Sequence, residues 1–141
     1  MLPAGLKFTV CWAIEGDDCP TLLYLEELIE ADEASFYAVV DYMEKIQQSE
    51  YLKKPTVSKL PVNKSTKDLY ELRVKSGVTG IFTRISFVYT AEREIVLLNG
   101  ISKKTNKATG KFIERAVSLR NKVRTKEMNY EPIDFDDLRS E

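Results

Sequence analysis

Three strand-length segments follow one another between residues 68 and 102 with only short links between them, and this constrains the fold more than any other feature of the chain. "DLYELRVKS" (68–76) alternates Leu69, Glu71, Arg73 and Lys75 against Tyr70, Leu72 and Val74. "GIFTRISFVYT" (80–90) sets Phe82, Arg84, Ser86 and Val88 opposite Ile81, Thr83, Ile85, Phe87 and Tyr89, and "REIVLLNGIS" (93–102) is the third segment. A period of two is the signature of a strand, because successive side chains leave a pleated backbone on opposite faces. The links "SGVTG" and "TAERE" are too short for a parallel crossover. An antiparallel meander is the expected result.

The rest of the chain reads around that meander. "LKFTVCWAI" places Phe8, Val10 and Trp12 on one side of an earlier strand, closed by the turn residues "EGDDCP". From Thr21, Leu22, Leu25, Leu28 and Ile29, and then Phe36, Val39, Val40, Met43 and Ile46, recur at three-and-four spacing, which predicts two amphipathic helices with Asp32 as the N-cap of the second. Residues 52–67 carry two prolines and five lysines and read as a long connection. Thr109 caps a last helix with Phe112, Ala116, Leu119 and Val123 on its apolar stripe. The expectation is an α+β fold, a small antiparallel sheet with helices packed on one face, over residues 1–126. Residues 127–141, acidic and proline-containing, read as a C-terminal tail outside the core.

Composition removes several function classes. With 43% hydrophobic residues in 141, a core forms without metal or disulfide staples. Cys11 and Cys19 are the only cysteines and histidine is absent, so no zinc-ligand set, no Cys-His pair and no imidazole base can be assembled. No metal and no cofactor are expected. The opening "MLPAGLKF" lacks a signal-peptide pattern and no apolar run approaches the roughly 20 residues of a membrane span, so a cytoplasmic chain is expected.

The net charge of −1 conceals three regions of opposite sign. Residues 1–50 hold 2 Lys and Arg against 11 Asp and Glu, residues 51–126 hold 18 against 5, and residues 127–141 hold 1 against 6. A basic middle of that size creates a field suited to an anionic partner, and a phosphate backbone is the commonest one. A solvated surface is the plainer explanation of the same charge. Arg73 and Arg84 stand out because an arginine within an apolar strand needs solvent, a carboxylate or a phosphate. For Arg73 the carboxylate on offer is Glu71 or Glu94.

Residues 69–116, "LYELRVKSGVTGIFTRISFVYTAEREIVLLNGISKKTNKATGKFIERA", resemble the core signature of HigB-like toxins, the phage-derived subgroup of the RelE/ParE superfamily of toxin-antitoxin systems. The shared features are the "LYELR" strand, an arginine in the next strand, an "I-LL-G" strand, then "KKT" and a helix beginning "K-IERA". The resemblance implies a RelE-like fold and a ribosome-dependent endonuclease that cuts translated mRNA. It also implies neutralisation by a small antitoxin, a helix-turn-helix protein. Catalysis would proceed by 2′-OH attack on the adjacent phosphate without a metal. Carried over by motif, the catalytic candidates are Arg73, Arg84, Lys103 and Tyr89, with Tyr89 open also to a place in the core. The RNA-binding candidates are Lys75, Lys104 and Lys107, joined by Lys53, Lys54 and Lys59 of the long connection.

Two departures bear on activity. Where many relatives place a histidine, this chain has Asn99, which forms hydrogen bonds but accepts no proton at neutral pH, and Ile101 stands where an aromatic is usual. Proton transfer then falls to a lysine in a crowded cationic cluster, where like charges disfavour the protonated form. Two other readings keep the fold: a ParE-like toxin that binds DNA gyrase, and an inactive relative that only binds RNA or a protein.

Overall fold

The structure, a computed structural model, describes residues 7–48, 57–60, 68–103 and 110–140. The chain runs β1 (Thr9–Ile14), α1 (Pro20–Ala31), α2 (Glu33–Ile46), β2 (Val57–Lys59), β3 (Tyr70–Lys75), β4 (Phe82–Tyr89), β5 (Glu94–Lys103), α3 (Gly110–Arg124), β6 (Asn129–Pro132) and α4 (Phe135–Arg139). Among the described residues the strands form one six-stranded sheet in the order β2-β3-β4-β5-β1-β6. The α+β class and the β3-β4-β5 meander are as expected, with Arg73 opposite Arg84 and Phe82 opposite Lys103.

Three expectations are corrected. The sheet is mixed, because β1 runs parallel to β5, with Val10 paired to Ile95 and Trp12 to Leu97. The two helices after β1 carry the chain back across the sheet, so β1 and β5 enter in the same direction. The helices cover both faces. On one, Val10, Leu72, Ile85, Phe87, Ile95 and Leu97 pack with Leu25 and Leu28 of α1 and Phe36, Val39 and Met43 of α2. On the other, Cys11, Val88, Val96 and Leu98 pack with Ala116 and Leu119 of α3. Finally, the acidic C-terminal segment is part of the fold: β6 pairs antiparallel with β1, and Ile133, Phe135 and Leu138 join the core that holds α2. Burial of those three apolar side chains outweighs the solvation of the acidic residues between them.

Local chemistry explains the element ends. Pro20 opens α1, where its missing N–H costs nothing. Asp32 ends α1 and caps α2, its carboxylate accepting from the Ser35 amide at 3.2 Å and from the Ser35 hydroxyl at 2.5 Å. These bonds, the hydroxyl's first, hold its pKa below the ordinary carboxylate value. Gly80 turns β3 into β4 at φ +73°, a conformation that side-chain-bearing residues rarely adopt. Cys11 and Cys19 are buried and not bridged to each other. Among the described residues no helix is long and apolar enough to cross a membrane.

Candidate functional site

On the α3 side of the sheet the register arranges β3, β4 and β5 in rows. Lys75, Phe82 and Lys103 lie abreast at one end, and Arg73, Arg84 and Ile101 form the next row. Glu71 and Ser86 follow, with Asn99 beside them. A β-bulge makes this possible. Between Ile85 and Phe87 the partner strand spends three residues, Gly100 back to Leu97, where β4 spends two. The extra residue lets Leu98 and Asn99 both face α3. Ile101 and Lys103 thereby share a face with Arg84 while Val96 and Leu98 line the apolar floor under α3.

Exposure rises along these rows. Glu71, Ser86 and Asn99 are buried, Arg73, Phe82, Ile101 and Lys103 are partly exposed, and Lys75 is exposed. Arg84 is buried to 1% exposure, and its Nη1 donates to Glu71 Oε1 at 2.5 Å. Two arginines directly opposite each other repel, and the carboxylate one row below offsets the buried one. Of the two carboxylates expected for Arg73, Glu71 is engaged by Arg84 and Glu94 accepts from the Thr90 and Tyr130 hydroxyls, and among the described residues Arg73 forms no ion pair. Its guanidinium, that of Arg84 and the ammonium of Lys75 surround the Phe82 ring, at 5.9, 5.9 and 5.6 Å from its centroid.

Asn99 is a tie. Its amide oxygen accepts from the Ser86 hydroxyl, and its Nδ2 donates to the Phe112 carbonyl of α3 at 3.3 Å. An amide in this place joins β4, β5 and α3, with both of its polar atoms engaged.

The sequence candidates divide accordingly. The fold brings Arg73, Arg84, Lys75 and Lys103 together. Tyr89 lies on the other face, five residues along β4 from Arg84, roughly 17 Å at strand rise. There it stands edge-on to Tyr70 and Phe87, and burial first, then Tyr70, pushes its pKa up to about 12. Lys59 lies on the edge strand β2. Lys53, Lys54, Lys104 and Lys107 fall outside the described residues, as does the Thr109 cap. Phe82 was not singled out by sequence reasoning, and Glu71 was offered as a partner of Arg73 where the structure pairs it with Arg84, although alternation already sets each on the arginine face of its own strand.

A cleft of about 710 Å³ opens at the opposite end of the sheet, between Tyr89, Arg124 and Tyr130. Among the described residues no group of three or more His, Cys, Asp or Glu gathers to hold a metal ion.

A family model described as "Phage derived protein Gp49-like (DUF891)" matches residues 24–121, from α1 to the last turns of α3, and so includes every row of the cationic face. No curated protein matches the chain.

Proposed function

The chain belongs to the phage-derived Gp49-like family, a RelE/HigB-like toxin family whose members imply an antitoxin partner, and from that premise we propose that it is a ribosome-dependent endonuclease that cuts translated mRNA. The observation that carries this reading is the cluster of Arg73, Lys75, Arg84 and Lys103 on three adjacent strands.

Cleavage by 2′-OH attack requires a positioned phosphate, offset of the charge that grows on it, and proton transfer at the attacking and leaving oxygens. Arg73 is partly exposed, and its planar fork suits two phosphate oxygens at once. Arg84 lies beneath, oriented by Glu71, and contributes field from below. Lys103 stands two strands from Lys75, roughly 10 Å across, so a single RNA strand fits between them. In this reading Lys103 takes part in proton transfer and Tyr89 does not, because its phenol is on the far face.

The test is a translating extract with a defined mRNA. Cleavage that disappears when ribosomes are withheld, and in Arg73→Ala, supports the proposal; intact mRNA at full toxin dose removes it. One observation favours a second reading. Asn99 offers neither a proton site nor a free amide atom, which suits a toxin that binds its target without cutting. Inhibition of DNA gyrase supercoiling with no RNA cleavage would establish that alternative.

A further inference from the structure

Phe82 belongs to neither apolar core of the described residues. A phenylalanine ordinarily buries 150–250 Å², so one left partly exposed at the first position of a strand calls for a physical account. Its neighbours deepen the question. The residues paired with it on either side are Lys75 and Lys103, and the next row on its face begins with Arg73 and Arg84. Three of these cations lie within 6 Å of its ring centroid.

An apolar partner does not fit this place, since covering the ring would strip water from several cations with nothing to compensate them. A polyanion without aromatic groups would satisfy the cations and leave the ring idle. A ligand that alternates negative charge with flat aromatic surface answers both. We propose that Phe82 is a stacking platform for one nucleobase of a single RNA strand, with Lys75 and Lys103 holding the phosphates on either side. The proposal rests on the RNA-directed reading above and names a residue that selects for the base rather than for the phosphate chain. In the free protein the electron-rich ring face attracts the cations. When RNA arrives Lys75 and Arg73, which reach solvent, turn to phosphate while Arg84 stays with Glu71, and the vacated part of the face takes the base. Stacking tolerates any base, because each has a π face.

The experiment compares two probes, a short single-stranded oligoadenylate and a ribose-phosphate oligomer of equal length without bases, titrated against the full chain. The wild type is expected to bind the base-bearing oligomer roughly five- to a hundredfold more tightly. Phe82→Leu keeps an apolar side chain but has no π face, and should bring the two affinities together. Phe82→Tyr and Phe82→Trp should restore the preference, which a merely structural role would not predict. The slope of affinity against salt should be the same in Phe82→Leu and wild type, whereas Lys75→Gln should lower it by roughly 0.7 for its one phosphate.

A preference for bases that persists in Phe82→Leu overturns the proposal. That would be the outcome if the ring only roofs Arg84, or if it receives an aromatic side chain of an acidic protein segment. Equal wild-type binding of the two oligomers also overturns it while leaving the RNA-directed reading in place. Failure to bind either oligomer, together with intact mRNA in the translating extract, overturns both.

Discussion

Arg84 and Glu71 sit on neighbouring strands one row apart, joined by a 2.5 Å contact in which both side chains are almost fully removed from water, at 1% and 6% side-chain exposure. Each charge is tolerable there because of the other. Removing one partner strands the remaining charge, which costs about 3 to 5 kcal/mol for a buried pair. Glu71→Ala and Arg84→Ala are therefore both expected to be strongly destabilised, as a shift of the urea midpoint at unchanged slope. Replacing both at once with apolar residues of similar volume should recover much of that loss. A double variant no more stable than either single one would show that the pair is not the cause.

Arg73, directly opposite Arg84, should behave in the opposite way. It is partly exposed and forms no ion pair among the described residues, so Arg73→Ala should unfold at nearly the wild-type midpoint. If it contacts the scissile phosphate, cleavage should fall by about a hundredfold or more, the loss typical of a transition-state donor. Arg73→Lys refines the result, because it keeps the charge and loses the fork. Rapid cleavage by Arg73→Ala would take this residue out of the site.

How far this was legible in the sequence depends on whether the signal was local. Alternation set Arg73 and Lys75 on one face of their strand and put Arg84 and Tyr89 on opposite faces of theirs, against the role given Tyr89 by motif. The face shared by the two arginines came from the resemblance and rests on the register of β3 with β4. The partner of Arg84 was not legible, because it depends on which residues of β3 and β4 stand one row apart. β2 was hidden in a stretch of lysines and prolines, residues that commonly guard an edge strand. The burial of Ile133, Phe135 and Leu138 was masked by the acidic residues between them, since composition averages over a segment whereas packing depends on which side chains point inward.

Gly100 offers a test on the opposite face. An added methyl group there would lie within 2.7 Å of Cε2 of Tyr24, and closer still to Cδ2, while the Tyr24 hydroxyl is 2.6 Å from Ser102 Oγ. The ring is seated on a position that only glycine leaves open. Gly100→Ala should cost about 1 to 3 kcal/mol, the usual range for overpacking. With Tyr24 already truncated to Ala, the same substitution should cost much less, and this coupling is read from a double-mutant cycle. Equal costs in both backgrounds would separate the glycine from the ring.

Asp32 predicts a dependence on pH. Its native pKa is lowered, first by the Ser35 hydroxyl, so the carboxylate is favoured in the folded state. The resulting stability is fully present above the ordinary value of 3.8 and is lost as pH falls through the lowered native value. Asp32→Ala should cost about 1 kcal/mol at neutral pH, as for other N-caps. Asp32→Asn keeps an acceptor that does not titrate, so the stability difference between wild type and this variant should narrow on acidification. A difference that stays constant to the lowest pH at which both fold would exclude the titration.

Removing residues 127–141 should damage the fold. β6 covers the edge of β1, and Phe135 and Leu138, at 5% and 4% exposure, fill the core beside α2. Arg139 reaches Asp41 and Glu44 of α2, both at 2.8 Å. These exposed contacts are weak, so Arg139→Ala should change stability by no more than about 1 kcal/mol. Phe135→Ala, by contrast, should cost about 3 to 5 kcal/mol through lost burial and the cavity left behind. The truncated chain loses all of this and bares a strand edge, which invites association between molecules. The expected outcome is a poorly soluble protein with a much lower urea midpoint and weaker toxicity. A truncated protein that keeps the full-length midpoint and gains toxicity would mean that the segment restrains the cationic face and adds nothing to the core.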